Sequence, residues 1–221
     1  MTISLLIFAY LLGSIPTGVI LAKAFGNVDP RTLGSKNIGA TNVYRTAGKR
    51  LGIFTLLGDV LKGSIPVVIA RLTLDPYWVG AVALAAFLGH LFPIFLKFKG
   101  GKGIATGLGA FLALSPLSTI LSLLIFLAVV YKWRFISLGS LTATASFPIL
   151  LALLNPHRVY APFMPFAITI GILIFYRHRE NIRRLMGGKE ARFGEKAKPA
   201  EPAAENPQSG NDPGEKIWKN P

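Results

Sequence analysis

A short basic, glycine-rich loop offers the clearest chemistry in this sequence. It lies between two apolar segments and reads Lys97-Phe98-Lys99-Gly100-Gly101-Lys102-Gly103-Ile104-Ala105-Thr106. Three glycines in four positions let the backbone turn tightly and approach a ligand closely. Successive N–H groups in such a turn can converge on one oxyanion, and a helix that begins at Ile104 would add its partial positive charge. The loop, with its three lysines, is therefore predicted to hold a phosphate group.

The loop differs from a nucleotide-binding P-loop, which needs G-x-x-x-x-G-K-[ST]. Here Gly103 follows Gly101-Lys102, and Phe95 or Leu96 stands where the first glycine is required. The competing interpretation is a loop whose lysines only orient two membrane helices, since lysines collect in cytoplasmic loops. The other polar segments of the chain have to decide between these two interpretations.

A second group of hydrogen-bond donors occupies residues 34–45. Its serine, asparagine, threonine and glycine donors are neutral groups suited to phosphate oxygens, and Arg45 adds a planar fork that can bind two of them. In a soluble protein these would be ordinary loop and helix-capping residues. Few carboxylates accompany them here, which favours an anion site.

A third candidate covers residues 177–190. If the preceding apolar helix continues through this segment, His178 and Asn181 share one face, with Leu185 further along it. A basic flank lying on lipid headgroups explains the arginines well, but it does not explain that pairing.

Three ionisable residues lie inside apolar segments: Asp59, Lys62 and His90. The first two are three residues apart, and the simpler interpretation is an ion pair that faces the helix bundle. The alternative is a contact that reaches the phosphate site from below. His90 is expected to be a buried, hydrogen-bonded structural residue.

Composition restricts the classes of protein and chemistry. The chain has 221 residues, a mean hydropathy of +0.50 and only 15% charged residues, against roughly a quarter in soluble domains. It has no cysteine, which excludes disulfides, thiolate metal sites and a cysteine nucleophile. The chain has 24 Lys and Arg residues but only 10 Asp and Glu residues, a net charge of +14. Few carboxylates are therefore present for paired-carboxylate catalysis or cation binding, and the excess of cations suits anionic lipid and an anionic substrate. Nucleic acid is not expected, because the basic residues lie in loops between apolar runs.

Seven apolar segments predict an all-α integral membrane protein with seven transmembrane helices: 2–24, 51–71, 77–96, 104–115, 117–131, 135–154 and 159–176. One helix over 104–131 would be about 42 Å long, beyond the hydrocarbon core of about 30 Å. We therefore expect two short antiparallel helices that turn at Pro116. The sequence Gly13-Ser14-Ile15-Pro16 in the first segment predicts close helix contact or a broken helix.

The distribution of cations predicts the topology. Nearly all of them lie at 25–50, 97–103, 132–134 and from 177 onward, whereas the opposite turns hold Arg71 and Arg158 with few others. The N-terminus is therefore expected outside and the C-terminus inside. Residues 1–196 would form one membrane domain, and the Pro-, Glu- and Ala-rich residues 197–221 a disordered cytoplasmic tail.

Three motifs occur in order along the chain. They read Gly34-Ser35-x-Asn37-x-Gly39-x-Thr41-Asn42-x-x-Arg45, then Gly89-His90-x-Phe92-Pro93 with Phe98-Lys99-Gly100-Gly101-Lys102-Gly103-x-Ala105-Thr106, then His178-Arg179-x-Asn181-Ile182-x-Arg184-Leu185-x-x-Gly188-x-Glu190. Up to about Glu195 the chain resembles the bacterial acyl-phosphate:glycerol-3-phosphate acyltransferases, the PlsY family. The resemblance implies a seven-span inner-membrane enzyme, active on the cytoplasmic side. Such an enzyme moves a fatty acyl group from acyl phosphate to the 1-hydroxyl of glycerol 3-phosphate, giving lysophosphatidate and phosphate.

The resemblance also assigns roles to residues. Catalysis and binding of glycerol 3-phosphate fall to Ser35, Arg45, Lys102, His178 and Asn181, with the glycine loop of Gly100, Gly101 and Gly103. Substrate binding, mainly of the acyl phosphate, falls to Asn37, Gly39, Thr41 and Asn42, assisted by Ser140. His90 and Glu190 would be structural. No cofactor or metal is implied, and the expected partners are both substrates, membrane lipid and the enzyme that produces acyl phosphate.

Acyl phosphate is already activated, so no covalent acyl-enzyme is required. The chain also lacks G-x-S-x-G and a His-x4-Asp pattern. The general base would be His178 or an oxygen of a substrate phosphate. The alternative class is a transporter of organophosphate anions, which broken helices and an intramembrane ion pair would suit. Against it, the donors cluster on one face rather than at the membrane midplane.

Overall fold

The computed structural model describes residues 1–154 and 161–195, so the predicted tail and the turn around His157 lie outside it. The described residues are helical and contain no strand, as predicted. The helices are α1 (Thr2–Ser14), α2 (Thr17–Gly26), α3 (Ala40–Ala47), α4 (Lys49–Thr73), α5 (Pro76–Leu91), α6 (Ile104–Leu114), α7 (Pro116–Trp133), α8 (Ile136–Leu153), α9 (Met164–Arg177) and α10 (Arg179–Met186), with 3-10 turns at Ile94–Leu96 and Ala161–Phe163.

Five segments of the described chain are long and apolar enough to cross a membrane: Thr2–Gly26, Lys49–Thr73, Pro76–Leu96, Pro116–Trp133 and Ile136–Leu153. Helix α6 is shorter, and α9 with its preceding turn reaches the required length only together with α10. The predicted break between the fourth and fifth segments is confirmed, because α6 ends at Leu114 and α7 begins at Pro116. Seven crossings and the orientation stay predictions.

The first apolar segment is a broken helix. The helix is interrupted at Ile15 and Pro16 between α1 and α2, and the buried ammonium of Lys62 donates a hydrogen bond of 2.8 Å to the carbonyl of Ile15. The predicted close contact is also present, because a Cβ on Gly13 would overlap the backbone of Ala86 in α5. The absence of a side chain thus lets α1 and α5 pack backbone to backbone.

Helix α5 forms the centre of the bundle, with α1, α4, α6 and α9 packed around it. Its residues Val82, Ala83, Ala86 and Phe87 are fully buried. Large apolar side chains such as Ile172 cover the outside of the bundle, which suits a surface in contact with lipid.

The last two helices correct one expectation. Helix α9 does not continue straight through the third motif: the chain bends by 57° at His178 before α10 begins. Helix α10 is polar, with Glu180 and Arg183 exposed and Asn181 buried. The bend turns α10 across the end of the bundle, so that His178 and Asn181 are both buried beside the glycine loop.

Candidate active site

The three motifs line one cavity of about 1090 Å³. Its polar end is formed by the predicted residues Ser35, Asn37, Gly39, Thr41, Asn42, Arg45, Lys102, Gly103, Ser140, His178, Asn181 and Glu190. The remaining walls come from α4, α6, α7 and α8 and are mainly apolar, with Asp59 and the hydroxyl groups of Thr119, Ser122 and Thr144 among them. The fold therefore joins a basic, hydrogen-bonding mouth to an apolar interior in one continuous space.

Two helices begin at the wall of this cavity. Helix α3 starts at Ala40 after Gly39, and α6 starts at Ile104 after Gly103, as predicted for the second of them. Ala40, Thr41, Ile104 and Ala105 line the cavity. The first-turn N–H groups of a helix have no acceptor within it and carry partial positive charge. The cavity thus offers two separate positions for an anionic group.

Asn42 holds the first loop together. Its side-chain oxygen accepts the N–H of Ser35 at 2.9 Å, and its side-chain nitrogen donates to three loop carbonyls, including Pro30 at 2.8 Å. The side chain is 2% exposed. Because both amide protons are occupied by the backbone, the structure gives Asn42 a loop-holding position instead of a free donor for phosphate.

The glycine loop also differs in part from the prediction. The N–H groups of Gly100 and Gly101 donate to the carbonyls of Leu91 and His90, at 3.2 Å each, and do not converge on the cavity. Their own carbonyls accept from the guanidinium of Arg177. Backbone polar groups need partners near the end of a helix, so this loop closes α5 instead of leaving its N–H groups free.

The loop still delivers one cation and one helix start to the cavity. Lys97 and Lys99 are exposed, whereas Lys102 is partly buried and lines the cavity. Gly103 adopts φ +79°, and a Cβ there would overlap the ring of Phe87. The glycine therefore allows the chain to enter α6 directly after Lys102.

Lys102 begins a chain of polar contacts that ends at Arg184. Its ammonium donates to the side-chain oxygen of Asn181. The nitrogen of Asn181 donates to Glu190 at 2.6 Å, and Arg184 Nε donates to the other carboxylate oxygen at 2.7 Å. Burial, together with the charge of Arg184, lowers the pKa of Lys102 to about 8. Burial alone would raise the pKa of Glu190, but its hydrogen bonds lower it overall.

His178 lies in the cavity wall and is 3% exposed. Its Nδ1 is 2.8 Å from the carbonyl oxygen of Ile174. A carbonyl can only accept, so Nδ1 carries the proton and Nε2 is left as an acceptor. Burial, and then the charge of Lys102, lower the pKa of His178 to about 4. The imidazole is therefore neutral at pH 7.

Residues 191–195 continue from the third motif across the mouth of the cavity, a role that the sequence did not predict. Arg45 donates to the carbonyls of Ala191 and Arg192, at 3.4 Å each. The N–H of Phe193 donates to the carbonyl of Arg134 at 2.6 Å, and the guanidinium of Arg134 donates to the carbonyl of Phe193 at 3.0 Å. These contacts place the cation-rich ends of α3 and α7 at the same end of the bundle as Lys102. No periodicity in this segment signals such a role.

His90 takes a buried, hydrogen-bonded position, in line with its expected structural role. Its Nδ1 lies 3.0 Å from the hydroxyl of Thr106 and 3.8 Å from Asp59. Asp59 and Lys62 form a buried ion pair of 2.8 Å. Asp59 and His90 also line the cavity, so the Asp59–Lys62 ion pair borders the site. The Ser140 hydroxyl lies on the wall and donates to the carbonyl of Ile136 at 2.9 Å.

Known proteins resemble this chain over most of its length. The sequence model of a family described as glycerol-3-phosphate acyltransferase matches residues 3–188. A glycerol-3-phosphate acyltransferase from Geotalea daltonii is 57% identical over 192 residues, which cover 86% of this chain and 97% of that protein. The protein of the same name from Geobacter sulfurreducens is 54% identical over 187 residues, 84% of this chain and 94% of that one.

Solved structures give the same result. A crystal structure of PlsY (YgiH), an integral membrane glycerol 3-phosphate acyltransferase, in its glycerol 3-phosphate form has a TM-score of 0.83 and 46% identity, covering 87% of this chain and 96% of that chain. The structure of its lysphosphatidic acid form has a TM-score of 0.80 and 42% identity, and the match covers 87% of this chain and 95% of that chain. This likeness confirms the prediction of an all-α integral membrane fold.

Proposed function

The chain belongs to the glycerol-3-phosphate acyltransferase family of integral membrane proteins, and we propose that its donor is acyl phosphate. The acyl group would pass to the 1-hydroxyl of glycerol 3-phosphate, and the products would be lysophosphatidate and inorganic phosphate. The broken first segment and the buried Asp59–Lys62 pair would also suit an organophosphate transporter. The acyltransferase is favoured because residues of all three motifs line one cavity and the family is one of acyltransferases.

The continuity of the polar mouth with the apolar interior is the observation that carries this proposal. Both substrates carry a phosphate, and the cavity offers two helix N-termini to receive them. Glycerol 3-phosphate would bind at the start of α6 with Lys102, Ser35, Arg45 and Asn181. The acyl phosphate would bind at the start of α3 with Asn37, Gly39 and Thr41, with its chain in the apolar part.

The reaction needs one displacement and no covalent enzyme intermediate. The 1-hydroxyl oxygen attacks the carbonyl carbon of the acyl phosphate, an ester bond forms, and the bond from that carbon to the phosphate oxygen breaks. With a pKa of about 4, His178 is a weaker base than a phosphate group, whose second pKa is about 6. Nε2 of His178 would therefore orient the hydroxyl by accepting its hydrogen bond, while the departing phosphate takes the proton. Fixed geometry and charge would supply most of the acceleration.

A purified, detergent-solubilised protein tests the donor directly. With acyl phosphate we expect release of phosphate only when glycerol 3-phosphate is present, together with lysophosphatidate detected by mass spectrometry. Acyl thioesters should not replace acyl phosphate, because they lack a phosphate bonded directly to the acyl carbonyl, which is the group that would bind at the start of α3. Product from an acyl thioester but not from acyl phosphate would contradict the proposal.

The proposed location is the bacterial inner membrane, with the cavity mouth on the cytoplasmic side, where the enzyme that produces acyl phosphate would deliver the donor. The chain has no cysteine, so Lys99→Cys introduces a single thiol at an exposed loop position. An impermeant thiol reagent applied to spheroplasts should leave position 99 unlabelled until the membrane is opened. Labelling from outside would contradict this orientation.

A further inference from the structure

The apolar part of the cavity extends from the mouth into the bundle between α6, α7 and α8. Phe111 lies seven residues after Ile104, the first residue of α6, which corresponds to a rise of about 10 Å along the helix. Phe147 lies eleven residues after Ile136, the first residue of α8, which corresponds to a rise of about 16 Å along the helix. All four residues line the cavity. The space is therefore deep as well as apolar.

A stacked pair of aromatic rings, one from α6 and one from α8, lies at the inner end of the cavity lining on these two helices. Phe111 and Phe147 have ring centroids 4.0 Å apart and an angle of 13° between ring planes. They are the deepest residues of α6 and α8 that line the cavity. One turn further, Leu114 and Leu151 are buried in the core and do not line it. On α6 and α8 the ring pair therefore separates the cavity from the packed core, whereas on α7 the lining continues to Thr119.

On the basis of the proposed function, we propose that the Phe111–Phe147 pair sets the chain-length preference for the fatty acyl donor. The occupant is the donor's own chain, because the space is continuous with the polar end where its phosphate would bind. An extended chain advances roughly 1.2 Å per single bond, so a depth of about 16 Å accommodates on the order of a dozen bonds. A longer chain that continues inward would have to displace rings held in a close-packed interior, which is costly.

The test measures kcat/KM for saturated acyl phosphates of increasing length at saturating glycerol 3-phosphate. Phe147→Leu and Phe111→Leu each open the inner end and should raise the ratio of long-chain to short-chain kcat/KM roughly four- to ten-fold, because each buried methylene contributes about a factor of four. Ala143→Leu adds bulk to the cavity wall one turn nearer the mouth, and should lower that ratio.

Phe163→Leu is the matched control, because Phe163 is buried in the same core but does not line the cavity. Its ratio should equal that of the wild type. Thermal melts identify folded variants, and Ala143→Leu keeps the inference testable where a phenylalanine variant fails to fold. An unchanged ratio in folded variants, or an equal shift in Phe163→Leu, overturns the inference. A wild-type protein that does not use acyl phosphate at all would instead overturn the proposed function.

Discussion

Glu190 is predicted to control Lys102 without touching substrate. A carboxylate can only accept, so it forces the amide of Asn181 to present its nitrogen to Glu190 and its oxygen to the Lys102 ammonium. Glu190→Gln keeps the shape but offers an amide that can also donate. The Asn181 amide can then turn over and point its nitrogen at Lys102, which removes an acceptor from the ammonium.

The size of the effect follows from the burial of this contact. The side chain of Glu190 is only 9% exposed, and hydrogen bonds to charged groups contribute about 1.5–3 kcal/mol. Losing one such bond should lower kcat/KM for glycerol 3-phosphate roughly 10- to 150-fold. The charge of Glu190 also raises the pKa of Lys102, so its removal lowers that pKa further. The loss of activity at alkaline pH should therefore begin at lower pH.

The assay is kcat/KM for glycerol 3-phosphate on both sides of pH 8, with folding checked by thermal melt. Glu180→Gln is the control for the hydrogen bond, since it removes a charge that also raises the pKa of Lys102 but lies at an exposed position of α10. It should stay within about three-fold of the wild type. A folded Glu190→Gln protein with wild-type kcat/KM and an unshifted pH profile would refute this account of Lys102.

Three further predictions concern charge, burial and backbone. In the wild type, kcat/KM for glycerol 3-phosphate should fall as pH rises through about 8, because Lys102 binds phosphate in its protonated form. Lys102→Arg should retain part of the activity and move this fall to higher pH. Lys102→Ala should lose nearly all activity. Asp59→Asn should destabilise the protein by about 3–5 kcal/mol in chemical denaturation, because it leaves a buried lysine without its counter-charge. Gly103→Ala should lower both the melting temperature and the activity, because φ is +79° and the new methyl group would overlap Phe87. Gly188→Ala lies at φ +64° in open space, so its melting temperature measures the backbone strain alone. An equal fall in melting temperature for both substitutions would contradict the packing explanation.

Much of the architecture follows from the sequence, because it depends on local composition. Apolar segments of spanning length predict helices, and the rigid ring of Pro116, which lacks an N–H, predicts the break between α6 and α7. The three motifs predict one polar site, since donors and cations without carboxylates are useful mainly to an anion. Helix α3 was not predicted inside the polar connection, because eight residues of mixed character give little periodicity.

The details of the site are set by contacts between residues far apart in the chain. Local sequence suggests free N–H groups at Gly100 and Gly101, but the end of α5 lies close enough to take them. A straight α9 was the natural extrapolation, yet the bend at His178 turns Asn181 toward Lys102, 79 positions earlier. The segment over the mouth is held by Arg45 and Arg134, and no local pattern encodes those contacts. Sequence alone determined which residue types the site contains, and the tertiary structure decided which hydrogen-bonding groups stay free, because backbone partners compete for them only once the chain is folded.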